Sequence, residues 1–234
     1  MKKILLFSIL LNGFISQAQV GFNCQYFPGL QFGKVKVKTD NATLGTYKYN
    51  AGLPILMIDR IGNHWYTNVD LSALYYGATQ TNNANDNRIK ISKAEGGFAS
   101  GRLGYLFGKG DQFRMGPNIN VGLSSSNLDS LKKPFDQRTY VNLGLGVVVY
   151  KKFGKIRTSA KIGYERYSQK SFITKGHGTY LEAVIAYPIF QKYGLSVMPC
   201  FYSKKFEYTS KGNGAVTNAK VTSFAIRFGL TKFF

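Results

Sequence analysis

The run Phe113-Arg114-Met115-Gly116-Pro117-Asn118-Ile119-Asn120-Val121-Gly122-Leu123-Ser124 sets apolar residues at every odd number against Arg, Gly, Asn and Ser at every even one. Successive side chains of an extended chain point to opposite sides, so a period of two reads as a strand with one apolar and one polar face. The period recurs where Trp65, Thr67, Val69 and Leu71 oppose Tyr66, Asn68, Asp70 and Ser72. It returns where Val141, Leu143, Leu145, Val147 and Val149 oppose Asn142, Gly144, Gly146 and Val148, and where Ile156, Thr158, Ala160, Ile162 and Tyr164 oppose Arg157, Ser159, Lys161, Gly163 and Glu165. After residue 18 no apolar face of helical spacing exceeds two turns.

Ten such runs can be counted, at about 21–37, 43–58, 65–77, 93–107, 112–124, 138–151, 156–167, 177–189, 194–208 and 219–233. Each is long enough for a tilted bilayer crossing of about 9 to 11 residues. Their connections alternate in length. Asp59 to His64, Gly108 to Asp111, Lys152 to Lys155 and Phe190 to Tyr193 are short, whereas Ala78 to Ser92, Ser125 to Gln137, Ser168 to Gly176 and Thr209 to Asn218 are longer and rich in Asn, Ser, Thr and Gly. This predicts an all-β fold: a single closed antiparallel transmembrane β-barrel of about 10 strands, with 8 or 12 as neighbouring alternatives.

A soluble barrel shows the same period, but its outer face needs long polar side chains. Here the polar face is mostly Gly, Ser and Asn with isolated charges, which suits a crowded lumen. Aromatics near the strand ends, among them Trp65, Tyr66, Tyr75, Tyr76, Tyr105, Phe107, Tyr140, Tyr150, Tyr164, Tyr167, Tyr187 and Tyr193, read as girdles at the two membrane interfaces. The chain carries 31 Lys+Arg against 11 Asp+Glu, a formal charge of +20, with 15% aromatics. That aromatic content excludes a disordered chain, and 26 Gly without a Gly-X-Y period excludes collagen.

Lys2 and Lys3 followed by the apolar stretch Ile4 to Ile15 and by Ser16-Gln17-Ala18 read as a signal peptide over 1–18, leaving a barrel domain at 19–234 that begins at Gln19. Cys24 follows Gly21-Phe22-Asn23, which does not suit lipidation. Cys24 and Cys200 fall on the first and ninth strands, on different faces and separated by the tenth, so no disulfide is expected between them.

At the C-terminus Phe224, Ile226, Phe228 and Leu230 alternate toward Phe234. Phe228, Leu230 and Phe234 resemble the assembly signal read by the barrel-assembly machinery of Gram-negative bacteria, from which Lys232 departs. With Ala18-Gln19 and the Gly/Tyr/Asn-rich strands, the chain resembles the small outer-membrane β-barrel families common in Bacteroidota-type envelopes. The resemblance implies a Gram-negative outer membrane, with outer-membrane lipids including lipopolysaccharide, the assembly machinery and other outer-membrane proteins as partners. Those families carry no single activity.

Chemistry-bearing motifs are sparse. His64 lies in a short turn and His177 on the long-loop side, so they map to opposite membrane faces. The architecture resembles ten-stranded omptin proteases, which need an Asp-His pair and a further acidic pair above the outer rim. Around His177 stand Lys175, Gly176, Gly178 and Thr179, with Asp129 and Asp136 in another loop. Gly144-Leu145-Gly146 lacks the third Gly and the helix of a nucleotide fingerprint. No catalytic residue, cofactor, metal site or nucleic-acid partner is therefore expected.

Two charged sets stand out. Alternation sends Asp70, Arg102, Arg114, Arg157, Lys161, Glu165, Glu182 and Arg227 inward as a lumen charge network, with Asp70 and Arg102 at similar height, Lys161 near Glu182 and Arg227 reaching across. Arg88, Lys90, Lys132, Lys133, Lys204 and Lys205 are the candidate contacts to lipid phosphates. The functional expectation is a non-enzymatic structural or interaction component, such as a subunit of a type IX-like secretion or adhesion assembly. The alternatives are a narrow pore for small solutes or ions, and an outer-membrane protease or lipid hydrolase.

An even number of crossings returns the chain to its starting side. A tag in the loop from Ala78 to Ser92 will therefore label on intact cells, and a tag in the turn from Gly108 to Asp111 will not; the opposite labelling would invert the topology.

Overall fold

In hydrocarbon a backbone N–H or C=O has no water to bond, so a sheet can span a membrane only when its last strand closes on its first. A computed structural model shows this closure and describes residues 22–28, 30–39, 43–49, 54–62, 64–72, 78–82, 88–89, 95–108, 113–127, 138–168, 173–209 and 216–234. The proposed signal peptide, Tyr75, Tyr76, Lys90, Lys132 and Lys133 lie outside the described residues. The strands are β1 (Phe22–Phe27), β2 (Gln31–Thr39), β3 (Thr43–Tyr49), β4 (Ile55–Ile61), β5 (Trp65–Ser72), β6 (Ala78–Asn82), β7 (Arg88–Ile89) and β8 (Glu95–Tyr105). They continue with β9 (Arg114–Asn127), β10 (Arg138–Phe153), β11 (Ile156–Ser168), β12 (Ile173–Pro188), β13 (Tyr193–Thr209) and β14 (Val216–Phe233).

These segments lie on ten staves, the first four each described as two segments: β1 with β2, β3 with β4, β5 with β6, and β7 with β8. Neighbours are antiparallel throughout, and β1 pairs with β14 to close the ring. Register partners followed once around, from Lys38 through Lys220, Lys205, His177, Arg166, Leu143, Val121, Gly101, Val69 and Ile58, return to the first stave at Cys24, fourteen residues lower. Such a stagger obliges the staves to tilt.

The seam is irregular. Tyr26 pairs with Leu230, yet the Phe228 amide donates to the Leu30 carbonyl and Gly33 pairs with Ala225. The first stave thus carries two extra residues opposite the last, between Tyr26 and Gln31. Just above this offset a Cβ at Gly33 would collide with the Phe224 carbonyl oxygen, so only glycine permits the approach.

Several strands run further than the period suggested. Strand β4 extends through Ile61 into the segment expected to be a turn, and β12 and β14 begin inside segments expected to be long loops. The turn between β10 and β11 contracts to Gly154 and Lys155, flanked by the pair Phe153 and Ile156, with Gly154 at φ 57°. That sign at the first position of a two-residue turn matches the twist of the hairpin.

The faces sort as the alternation requires. Val69, Leu71, Ile119, Val121, Leu123, Leu143, Leu145, Leu181, Ile185 and Leu195 point outward and are exposed, an apolar belt suited to lipid chains. Trp65, Tyr105, Phe107, Phe113, Phe153, Tyr187, Phe190, Tyr193 and Phe234 ring the short-turn end. Tyr66, Tyr140, Tyr150 and Tyr167, expected in the girdles, are instead buried in the lumen. The reason is parity: each shares its face with inward residues such as Asn68, Asn142 or Glu165. Lys232 interrupts the terminal motif by lying over the Phe234 ring at 4.6 Å and the Tyr193 ring at 6.0 Å, an aromatic seat for a cation at the interface. Cys24 and Cys200 are both free, the latter buried.

Gly154→Val will force a β-branched residue into positive φ and cost about 1–3 kcal/mol. Urea unfolding in detergent micelles will register it as an earlier midpoint.

Candidate functional site: the packed lumen

Inward positions place three layers of side chains inside the ring. Near the short turns, Ile61, Tyr66, Leu106, Val148 and Tyr150 form an apolar cluster. At mid-height Phe27, Ile55, Met57, Val184 and Met198 pack together beside a polar network. Toward the long loops Tyr140, Tyr167 and Phe206 form a third cluster.

The mid-height network is centred on Arg102. Its guanidinium donates to Asn68 Oδ1 at 2.7 Å, pairs with Asp70, and reaches Glu182 Oε2 at 3.2 Å across the lumen. Asn68 Nδ2 donates to Asp70 Oδ1 at 2.7 Å and to Asp59 Oδ1 at 3.0 Å, which also accepts from the Tyr66 hydroxyl at 2.9 Å. Lys161 lies 3.7 Å from Asp59 and 3.9 Å from Glu182, its register partner. The Tyr202 hydroxyl donates to Glu182 Oε1 at 2.7 Å. Lys161 is 1% exposed and Asp59 and Asp70 2%, so these charges are compensated by one another and by neutral donors rather than by bulk water.

The eight residues expected to form one network do not all meet. Asp70, Arg102, Lys161 and Glu182 meet. Glu165 stands higher, accepting from Asn120 Nδ2 and, at 2.8 Å, from the Tyr167 hydroxyl. Arg114 and Arg157 lie toward the short turns. Arg114 donates to the Gly62 carbonyl at 2.9 Å and lies 5.3 Å from the Tyr150 ring centroid. Arg157 donates to Asn23 Oδ1 at 2.8 Å and lies 4.6 Å from the Phe233 centroid. Arg227 is half-buried, with Met198 Sδ at 4.0 Å. Asp59 completes the network although the sequence reading put it in a turn. The signal that could have found it is its alternation with Ile55, Met57 and Ile61, all buried.

Lys204 corrects another expectation. It points into the lumen, 4.9 Å from the Tyr167 ring and 5.7 Å from those of Tyr140 and Tyr202, so it contacts no lipid phosphate. Even-numbered residues of β13 face inward, and Lys205 beside it faces out and is exposed. Arg88 lies on β7, with its side chain outside the description. His64 is exposed in its turn and stacks on Tyr105 at 5.4 Å; His177 faces outward and stacks on Tyr164 at 6.0 Å. Among the described residues no three of His, Cys, Asp and Glu gather as metal ligands.

This is a transmembrane β-barrel with a lumen filled by its own side chains. No protein-family model matches the sequence, and no curated protein matches it. Among solved structures the fold is similar to the outer-membrane protease OmpT of Escherichia coli, with TM-score 0.53 and 9% identity over 94% of this chain and 99% of that one. Neisserial surface protein A aligns at TM-score 0.39 and 13% identity over 91% of this chain and 97% of that one. The β domain of the Bordetella autotransporter BrkA aligns at 0.40 and 11% over 89% and 98%. Identities this low speak for the fold alone.

Removing one partner of a buried pair strands the other. Asp70→Ala will destabilise the barrel by about 3–5 kcal/mol, less where water enters. The double variant Asp70→Asn/Arg102→Met will recover part of that loss in guanidinium unfolding, whereas Lys192→Ala in an exposed turn will be neutral.

Proposed function

We propose that the chain is a non-conducting, non-enzymatic barrel of the Gram-negative outer membrane, with both termini periplasmic, that serves as a structural or interaction component. In this reading the barrel is an anchor. Its long loops engage a larger envelope assembly, of which a type IX-like secretion or an adhesion complex is the form suggested by the resemblance to Bacteroidota-type barrels. Outer-membrane lipids and the barrel-assembly machinery are its other partners.

One observation carries the closed reading. The ion pairs of Arg102 with Glu182 and of Lys161 with Asp59 join the second and fourth staves to the seventh and eighth, through the middle of the ring. At about eight strands side chains just fill an interior, and ten add little room, so a network crossing the diameter obstructs passage. It is tied to both walls, which opposes its swinging aside as a flexible loop would.

Purified barrel in planar bilayers will give no stable conductance steps in potassium chloride. Arg102→Ala with Asp70→Ala will introduce them, because the variant empties the centre of the lumen. Steady conductance from the unaltered chain, unchanged in the variant, would favour the narrow-pore alternative.

A further inference from the structure

The outward face near the long loops holds cations that the lumen does not use. Register partners on four consecutive staves read Arg166, His177, Lys205 and Lys220, all exposed. Lys34 and Lys36 point out from β2 on the same side and are also exposed. Like charges placed directly opposite, as Lys205 is to Lys220, destabilise a sheet unless something neutralises them. Among the described residues no ion pair does so for Lys34, Lys36, Lys205 or Lys220. The one acid among the described outward residues of β2 and β11 to β14 is Glu207, against Lys34, Lys36, Arg166, Lys205 and Lys220 toward the long loops and Lys232 at the short-turn end.

Height places this face at a membrane boundary. Lys205 and Lys220 are each twelve residues from the pair Tyr193 and Lys232 at the short-turn end. Twelve residues rise about 40 Å along a strand, or about 30 Å along the barrel axis at ordinary tilt, just beyond an apolar band of about 25 Å. Immediately below, Phe201 and Phe224 with Lys34, Lys36, Lys220 and Thr222 line an outward groove of about 350 Å³. Cations lie above and aromatic rings below, the polarity of a lipid with an anionic head and apolar tails. Long lysine stems can run along the rings while their ammonium groups reach upward.

Resting on the outer-membrane reading above, we propose that the face formed by β11 to β14 and β2 is a binding site for a multiply phosphorylated glycolipid of the lipopolysaccharide type. Its phosphates sit on Arg166, Lys205, Lys220, Lys34 and Lys36, and its acyl chains lie in the groove over Phe201 and Phe224. From Arg166 on β11 to Lys34 and Lys36 on β2 the cations span four strand spacings, about 19 Å, wider than one phosphate with its three acceptor oxygens can bridge. A headgroup bearing separated phosphates fits that width.

The full chain, extracted from membranes and checked for folding by heat-modifiable migration, would be titrated with lipopolysaccharide, with the same lipid dephosphorylated, and with inorganic pyrophosphate. The unaltered protein will bind the phosphorylated lipid at least tenfold tighter than the dephosphorylated one, with affinity falling as salt rises. Lys205→Glu/Lys220→Glu and, separately, Lys34→Glu/Lys36→Glu will each weaken it at least tenfold. Lys205→Arg/Lys220→Arg will retain binding, and Lys155→Glu in a short turn will change nothing. Equal affinity for both lipids, indifference to the charge reversals, or pyrophosphate binding as tightly as the lipid would overturn the proposal. A chain that inserts into bilayers yet shows any of those results removes this site alone, whereas a chain that does not insert removes the outer-membrane reading beneath it.

Discussion

A strand in a lipid environment can satisfy its backbone only through its neighbours, and in this chain that demand is met by closing β14 onto β1 and β2. Closure fixes everything else. Once the ring exists each side chain has one of two destinations, and a single residue step exchanges lipid for lumen. Leu143 and Asn142, or Lys204 and Lys205, are chemically separated by that step alone. The lumen can then collect charges that no open sheet would bury, because the opposite wall supplies their partners within a few ångströms.

The ring was legible in the sequence because its signal is local and repeated. The alternation around Ile119 or Leu143 survives averaging over ten runs, and the short turn at Gly154 punctuates it. Less legible was anything that depended on where a run stops. Asp59 lies beyond the end of the second run, so the sequence hides one of the four buried acids among the described residues. The inward tyrosines are hard to place for a different reason: Tyr66, Tyr140, Tyr150 and Tyr167 sit near strand ends, where interfacial aromatics also gather, and only parity separates the two. Applied strictly, parity would have sent them inside with Asn68, Asn142 and Glu165.

Contacts across the diameter were harder still. Lys161 and Glu182 are neighbours in register, so strand order brings them together. Arg102 and Glu182 are joined through space by the roundness of the ring, and no spacing along the chain encodes that distance. The outward cations show the same limit. Arg166, His177, Lys205 and Lys220 stand in one row only after three registers have been fixed, and each alone looks like an ordinary residue near a loop. Lumen and outer wall therefore divide the basic side chains by surroundings: inner ones such as Arg102 and Lys161 face acids across the ring, and outer ones such as Lys205 and Lys220 face one another.

The two-residue offset between Tyr26 and Gln31 bears on how the ring is assembled. A slip of the last stave by one residue would turn every lipid-facing side chain inward and would be rejected by polarity. A slip by two preserves all the faces, so neither hydrocarbon nor lumen distinguishes it from the correct pairing by sidedness. The lower half of the seam, through Tyr26 and Leu230, and the upper half, through Gly33 and Ala225, use registers that differ by that amount. With the offset between them, zipping either half in the other's register leaves the remaining half unable to pair. The offset thus acts as a key cut in two places, admitting one final docking of first stave to last where a single continuous register would admit two.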